Sequence, residues 1–395
     1  MTNQELIDLV AERMNAAPFS PEAGEAVIAL TNALTKEPEF AGPPRIRVPH
    51  GVQYVIPNFA AQRMLLIARE TGNPVVAIEW LRKIPDLIAH GAAQGAATKV
   101  LCGVECEQVI PMSESVSLYP IHMLPPSRLR NDLFTRYERV FFEGPVSQGI
   151  VMPPRAALVR AGSPGDLSVN DALTYEQQPP ATWFEVLDAA ARLLALVSRA
   201  VPLEAAHWYH YDDPDVALLC QMGLAYRGSD FSQSQFMALA KVTAESVTGL
   251  LDAYLAMDKS HQDVVTLALD RLIRSRCQLG PGNRAIDLAI ALEVLFMRAD
   301  QGEHSFKIAL RVARLLRENR EARGIVFAQV RRLYDLRSLT VHTGRAKDTW
   351  SVGGAKTNSH ALVEAVDLIC AEAIRKFLAL GRVPENDGWA DTELG

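Results

Sequence analysis

Hydrophobic positions recur at three- and four-residue spacing through much of the chain, which is the period of helices that bury one face. Glycine or proline punctuates most ends of these periodic segments. Short polar links join most of the later segments, which favours antiparallel neighbours in a bundle. The pattern predicts helices at residues 4–16, 22–36, 59–71, 74–90, 233–256, 260–278, 283–298, 304–318, 322–342 and 357–380.

Between the four N-terminal and the six C-terminal predicted helices, the pattern of hydrophobic positions is different. Short alternating or β-branched runs, separated by proline and glycine, are typical of strands. A longer apolar stretch from Trp183 to Arg199 predicts one helix, and its charges make it too polar to span a bilayer. The predicted strands lie at 100–110, 140–142, 156–159 and 216–225.

These elements predict a multidomain α+β protein. We expect a mixed α/β region of unassigned fold, with a sensing or regulatory role, followed by an all-α helical bundle and a short tail. The predicted bounds are 1–228 for the mixed region, 229–383 for the bundle and 384–395 for the C-terminal tail.

Composition narrows the class of protein. Of 395 residues, 49% are hydrophobic and 22% are charged, which is ordinary for a globular chain. A net charge of −6 argues against a protein that coats nucleic acid non-specifically. Five scattered cysteines indicate free thiols in a reducing compartment. The N-terminus lacks the pattern of a signal peptide, so we expect a cytoplasmic protein without a membrane partner.

Three charged residues of the bundle fall where the helical period expects apolar ones. Glu293, Arg311 and Arg337 are each in phase with neighbouring aliphatic residues. Buried charges are rarely unpaired, because desolvation costs several kcal/mol per ion. We therefore expect Glu293 to pair with Arg311, Arg337 or both, either in a cleft or as an ion pair that only fixes helix register.

A histidine, His342, lies five residues after Arg337 in the sequence. Gly344 stands where a helix C-cap is expected, so His342 lies in the last helical turn, at a partly exposed end. A histidine there can transfer protons near neutral pH, although such residues more often only interact with the helix dipole.

The segment Tyr334–His342 resembles the signature of HEPN domains, which is an arginine, a polar residue, a few further positions and then a histidine. Two preceding segments, Ala289–Phe296 and Ser305–Leu316, resemble the preceding helices of the Apea-like branch of that superfamily. The resemblance covers about residues 283–380. The bare Arg-to-His spacing also occurs at 45–50 and 298–304, in a proline-rich segment and across a turn.

The resemblance implies a metal-independent RNA endonuclease that works as a homodimer without a cofactor, acting in phage defence or as a toxin. His342 would be the general acid/base, and Arg337 would stabilise the scissile phosphate with help from Ser338. Glu293, Arg311 and Tyr334 would support Arg337. Ser338 departs from the Asn, Asp or His found in many of these nucleases. An antitoxin or phage-derived partner is left open.

Local charge favours an anionic ligand. Between Lys307 and Lys347 there are eleven basic and three acidic residues, a local +8. Basic side chains beside the motif would hold RNA phosphates through salt-sensitive contacts. The candidate RNA-binding residues are Arg331, Arg332, Arg345 and Lys347.

Other functions stay open at this point. The bundle could be a catalytically inactive dimerisation or binding module, with ligand sensing by residues 1–228. The activity could instead lie in that front region. His207 and His210 have His-x2-His spacing followed by carboxylates, but the local sequence favours a turn entering a strand over a metal site.

Overall fold

The computed structural model describes residues 2–16, 20–37, 45–47, 53–90, 94–124, 129–131, 133–135, 154–162, 168–170, 182–213, 225–226, 239–297 and 304–389. Contacts within the chain group it into two compact units. The first unit comprises Met1–Thr98, Arg160–Val186 and Trp208–Leu224, and the second comprises Lys99–Val159, Leu187–His207 and Ala225–Gly395. The predicted boundary at residue 228 lies outside the described residues.

Both helices and strands are present. The helices are α1 (Asn3–Arg13), α2 (Pro21–Leu34), α3 (Ile56–Thr71), α4 (Pro74–His90), α5 (Thr182–Leu193), α6 (Ala244–Val247), α7 (Leu250–Leu255), α8 (Lys259–Cys277), α9 (Pro281–Phe296), α10 (His304–Leu316), α11 (Arg320–Thr343) and α12 (Ser359–Leu380). The chain is therefore mixed α and β, with its longest series of helices at the C-terminal end, as predicted at this coarse level.

The strands form a larger sheet and several small ones. They are β1 (Arg45–Arg47), β2 (Gln53–Val55), β3 (Gly95–Cys102), β4 (Val104–Glu105), β5 (Ile110–Pro111), β6 (Val116–Pro120), β7 (Ala156–Gly162), β8 (Ser168–Asn170), β9 (Leu203–Tyr211), β10 (Ala225–Tyr226), β11 (Ala240–Lys241), β12 (Thr349–Val352) and β13 (Ala355–Asn358). The larger sheet has the order β10-β9-β3-β7-β6-β5. Strands β12 and β13 form a separate antiparallel hairpin.

The sequence explains most helix ends. Asn319 and Asn358 accept hydrogen bonds from the first-turn amides of Ala322 and Ala361, both at 2.7 Å. Gly344 takes a left-handed conformation with a φ of 68° and ends α11. The four N-terminal helices and the last five predicted helices are confirmed within a few residues. Within the described part of the chain, no helix has the length and apolar character to cross a membrane.

The predicted helix over 233–256 is wrong. Residues 233–238 lie outside the described part, and Ala240–Lys241 instead pairs in parallel with β4. The helical remainder breaks at Gly249, whose φ of 72° is left-handed and starts a new helix. An apolar period continues across this break, which is why the pattern suggested one helix.

The predicted helix from Trp183 to Arg199 ends early. Regular helix stops at Leu193, and one 3-10 turn follows. Ser198 and Arg199 have φ values of 34° and 61°, which an α-helix cannot accommodate.

The predicted strand over 100–110 is broken into pieces, whereas the strand at 156–159 is confirmed as β7. Gly103 ends β3 because its φ is 77° and a Cβ there would lie 2.1 Å from the Val201 carbonyl oxygen. The strand predicted at 140–142 and most of that at 216–225 lie outside the described residues.

An aromatic cluster closes the core of the C-terminal helices. The ring of Trp389, only 2% exposed, lies 5.2 Å from that of Phe296 and 6.2 Å from that of Phe377. Burying an aromatic ring of this size contributes roughly 2–3 kcal/mol of transfer free energy. The segment predicted as a tail therefore contributes to the core at this residue.

A buried ion pair joins α8 to α12. Arg276 donates to both carboxylate oxygens of Asp367, at 2.7 and 2.8 Å, and the two side chains are 4% and 0% exposed. The same guanidinium donates to the carbonyls of Ala195 and Ala200. Every charge is thus matched, which offsets the desolvation cost of burial.

Candidate functional site

Helix α11 carries the predicted Arg-to-His motif on one uninterrupted element. His342 lies in the last turn of the helix, as predicted. The helix ends at the next residue, and Gly344 caps it. Both His342 and Ser338 are exposed to solvent. Since they are four residues apart, they lie on the same face of the helix, one above the other.

Arg337 lies on a different face. Each residue advances a helix by about 100°, so Arg337 and His342 are about 140° apart around the axis. Arg337 is in phase with the buried residues Val330 and Leu333, and it is half-buried. Its Nε is inaccessible to solvent and has no hydrogen-bond partner among the described residues. Within one chain, the arginine and the histidine of the motif therefore face different directions.

Glu293 and Tyr334 form the electrostatic surroundings of Arg337. The Tyr334 hydroxyl donates to the carbonyl of Ala289 at 3.3 Å. Burial raises the pKa of Tyr334 well above its usual range, and the nearby Glu293 carboxylate raises it further, whereas Arg337 opposes the shift. Tyr334 thus stays neutral, and a carboxylate and a guanidinium both act on its hydroxyl.

Arg311 is placed elsewhere. Its guanidinium, on a residue that is 3% exposed, donates to the Phe296 carbonyl at 2.5 Å and stands 5.5 Å from the Trp389 ring centroid. A cation there matches the unpaired carbonyls at the end of α9. The expected pairing of Glu293 with Arg311 or Arg337 is wrong, since no such ion pair occurs in the described part of the chain. Arg311 supports helix packing and the C-terminal aromatic cluster.

The predicted basic patch is divided between structural contacts and solvent. Arg317 binds Glu372 through two nitrogens, at 2.6 and 2.9 Å, and Arg323 donates to the Arg317 carbonyl. Arg331 donates to the Ser305 hydroxyl at 2.6 Å. Arg345 is exposed after the end of α11. The basic residues that give the segment from Lys307 to Lys347 its net charge of +8 therefore do not form one continuous anion-binding surface.

The hairpin β12–β13 lies against α11 and was not predicted. Arg332 donates to the Ser351 carbonyl at 3.2 Å and also to Asp335 at 2.7 Å. Trp350 anchors the hairpin, because it is buried and its Nε1 donates to the Ser359 hydroxyl at 2.7 Å. Lys347 stands 5.0 Å above the Trp350 ring. Only the alternation of two short polar strands could have revealed this hairpin, and such a signal is weak.

A second charged cluster was also missed. Lys99, on β3, is 4% exposed and its Nζ contacts both Asp188 and Glu204. Glu204 also bonds Nδ1 of His207 at 2.6 Å. Burial raises the pKa of Glu204, but His207 and Lys99 outweigh burial and lower the pKa to about 2. Glu204 is therefore a charged link between a buried lysine and a histidine.

The His-x2-His segment belongs to strand β9 and not to a turn. His207 and His210 are three residues apart, so their side chains point to opposite faces of the sheet. Trp208 and Tyr209 are 3% and 1% exposed, which leaves neither ring available for stacking on a ligand. Among the residues that the structure describes, no group of three histidine, cysteine or acidic side chains is arranged to hold a metal ion.

The chain was compared with models of protein families, with curated proteins and with solved structures, and none of them matches.

Proposed function

We propose that the protein is a metal-independent RNA endonuclease of the HEPN type, an effector in phage defence or a toxin system. The observation that supports this most is the end of α11, where Ser338 and His342 are exposed and the half-buried Arg337 has an unpartnered Nε. A proton-transfer group and a phosphate-binding group thus lie on one rigid, capped helix.

The chemistry needs only groups that RNA and these side chains supply. The 2′-hydroxyl attacks the phosphorus as a base takes its proton, and the bond to the 5′-oxygen breaks as an acid donates a proton to it. The products are a 2′,3′-cyclic phosphate and a 5′-hydroxyl. His342 exchanges these protons, Arg337 binds the phosphate as its charge grows, and Ser338 hydrogen-bonds the phosphate or the histidine.

Two copies of the chain complete this site. Because Arg337 and His342 are about 140° apart on one helix, a single copy cannot present both to one phosphate. A homodimer that packs the two α11 ends together places the arginine of each copy beside the histidine of the other. Mixing inactive Arg337→Ala and His342→Ala chains should then restore part of the cleavage, since one mixed dimer keeps one intact pair.

The decisive experiment is incubation of 5′-labelled RNA in EDTA with wild type and with His342→Ala. Wild type should yield fragments with cyclic phosphate ends, and His342→Ala should not. His210→Ala, another exposed histidine, is the matched control and should cleave like wild type. Equal cleavage by wild type and His342→Ala would exclude the proposed role of His342.

One observation favours a second candidate, a catalytically inactive dimerisation module. Two large apolar residues are exposed at the same end of the bundle, Leu279 at 77% and Val341 at 56%. The close approach of Gly282, in the first turn of α9, to Thr340 of α11 brings these two helices together there. Exposed apolar patches indicate a protein contact. A stable dimer that leaves RNA intact under all conditions would support this candidate.

A further inference from the structure

One stripe of side chains runs along the solvent side of α11 and ends at His342. Arg331, Asp335, Ser338 and His342 follow one another at intervals of four, three and four residues, so they share one face. From Arg331 to His342 the stripe is about 16 Å long, at about 1.5 Å per residue.

The hairpin contacts α11 at the start of this stripe and in the two turns before it. Arg332, the neighbour of Arg331 on the helix, donates to the Ser351 carbonyl at 3.2 Å. Near the hairpin turn, a Cβ added at Gly353 would lie 3.9 Å from Ile325. The hairpin therefore runs beside α11 over about two turns.

The start of α10 contacts the stripe at Arg331. Arg331 donates to the Ser305 hydroxyl at 2.6 Å, and the Phe306 ring makes an edge contact with that of Phe327 at 5.4 Å. Phe306 is nevertheless 45% exposed. Phe306 is thus held by a second ring, half open to solvent and next in sequence to the serine that Arg331 bonds.

We infer that this stripe binds single-stranded RNA, with an unpaired base stacked on Phe306, a phosphate on Arg331 and the chain leading to His342. The inference rests on the proposed function and specifies its substrate. An aromatic face beside basic groups is the usual way in which proteins hold single strands, since every base offers a face for stacking. In a duplex those faces are covered by neighbouring base pairs, so Phe306 would find no partner.

Charge along the stripe is consistent with a phosphate backbone. Asp335 is the acidic member, and it is already paired with Arg332 at 2.7 Å. Beyond the helix, Arg345, Lys347 and Lys356 are exposed on the loop and hairpin. These cations form a separate exposed group beyond His342, so nucleotides on both sides of the cleaved bond meet positive charge.

The test measures binding and not cleavage. A 2′-deoxy-substituted RNA oligonucleotide with a fluorescent label cannot be cut by the proposed chemistry, and its anisotropy reports affinity in EDTA. We compare the single strand with a blunt duplex of the same sequence. Phe306→Leu should weaken single-strand binding roughly 5- to 150-fold, the range for loss of one stacked base, and Phe306→Tyr should restore it. Duplex binding should be weaker and unchanged by Phe306→Leu.

Controls separate this site from the rest of the surface. Leu255→Ala removes an apolar side chain that is 42% exposed, and it should bind like wild type. Arg331→Gln should reduce the slope of log affinity against log salt by about one, whereas Arg320→Gln, at the opposite end of α11, should not.

Several outcomes would overturn the inference. They are absence of single-strand binding by wild type, equal binding of the duplex, and wild-type affinity in Phe306→Leu. A change of oligomeric state in Phe306→Leu at unchanged affinity would assign the stripe to contact between two copies. Cleavage that depends on His342 but not on Phe306 would leave the proposed nuclease intact and remove only this binding site. Single-strand binding that depends on Phe306, without any cleavage, would leave the binding site intact and remove the proposed nuclease.

Discussion

Arg276 and Arg337 both lie on helices of the C-terminal series, α8 and α11, yet their surroundings are opposite. The guanidinium of Arg276 is buried and bonds Asp367 and two carbonyls, so its hydrogen-bonding capacity serves the fold. Arg337 is half-buried, and its Nε has no partner in the described part of the chain. The donors of Arg276 are used within the fold, whereas the side chain of Arg337 is partly exposed and can still meet a phosphate. The following predictions separate these roles.

The largest expected effect is on cleavage. Arg337→Ala should reduce the cleavage rate by about 10²–10³-fold, because it removes charge stabilisation at the scissile phosphate. Its free energy of unfolding should change by less than about 1 kcal/mol, since no described ion pair is lost. Rates on labelled RNA and urea denaturation measure the two effects. Arg320→Ala, an exposed arginine of the same helix, should change neither.

The reverse result is expected for the buried arginine. Arg276→Ala removes the bidentate partner of the buried Asp367 carboxylate and leaves it only the Arg284 guanidinium at 3.9 Å, which should cost about 3–5 kcal/mol of unfolding free energy. Replacing both residues, as Arg276→Met with Asp367→Leu, should recover a large part of that loss. Denaturation curves test both variants. Full stability of Arg276→Ala would contradict the distinction drawn between the two arginines.

A smaller effect is expected at the exposed apolar residues. Val341→Asp places a charge between two copies of the chain if α11 forms the dimer contact. The dimer dissociation constant should rise about tenfold or more, which corresponds to about 1.4 kcal/mol. Sedimentation velocity over a range of concentrations measures it. Leu380→Asp, at an apolar side chain 54% exposed, is the control and should leave the dissociation constant unchanged.

The smallest effect concerns the pH dependence of stability. Glu204 has a pKa lowered from 4.5 to about 2, so it contributes stability that is present above about pH 4.5 and is lost as the pH falls towards 2. Glu204→Gln cannot titrate, so its stability should fall less steeply over that window than that of wild type. Thermal melts at several pH values show the difference, and identical slopes would contradict the assigned pKa.

Part of this account could be predicted from the sequence. The apolar period and the helix caps predicted α8 to α12, because each of these helices buries a continuous face. Gly344 predicted the exposed helix end that carries His342. Partners across the chain could not be predicted in this way. The position of Arg311 depends on where α9 ends and on Trp389, 78 residues further along the chain.

Other features had no local signal. Phe306 belongs to an amphipathic helix, and a phenylalanine in such a helix is expected in the core; only the folded structure shows that 45% of its surface is exposed. The break at Gly249 could not be predicted either. A glycine within an apolar period is compatible with a continuous helix, and only the left-handed backbone of Gly249 shows the break.

The central claim is that His342 transfers the protons of RNA cleavage. Its most direct test is the single-turnover rate of wild type, His342→Ala and His210→Ala on one labelled RNA in EDTA. We predict that His210→Ala matches wild type and that His342→Ala is slower by about 10²–10⁴-fold, the usual contribution of general acid–base catalysis. Equal rates for wild type and His342→Ala would contradict the claim.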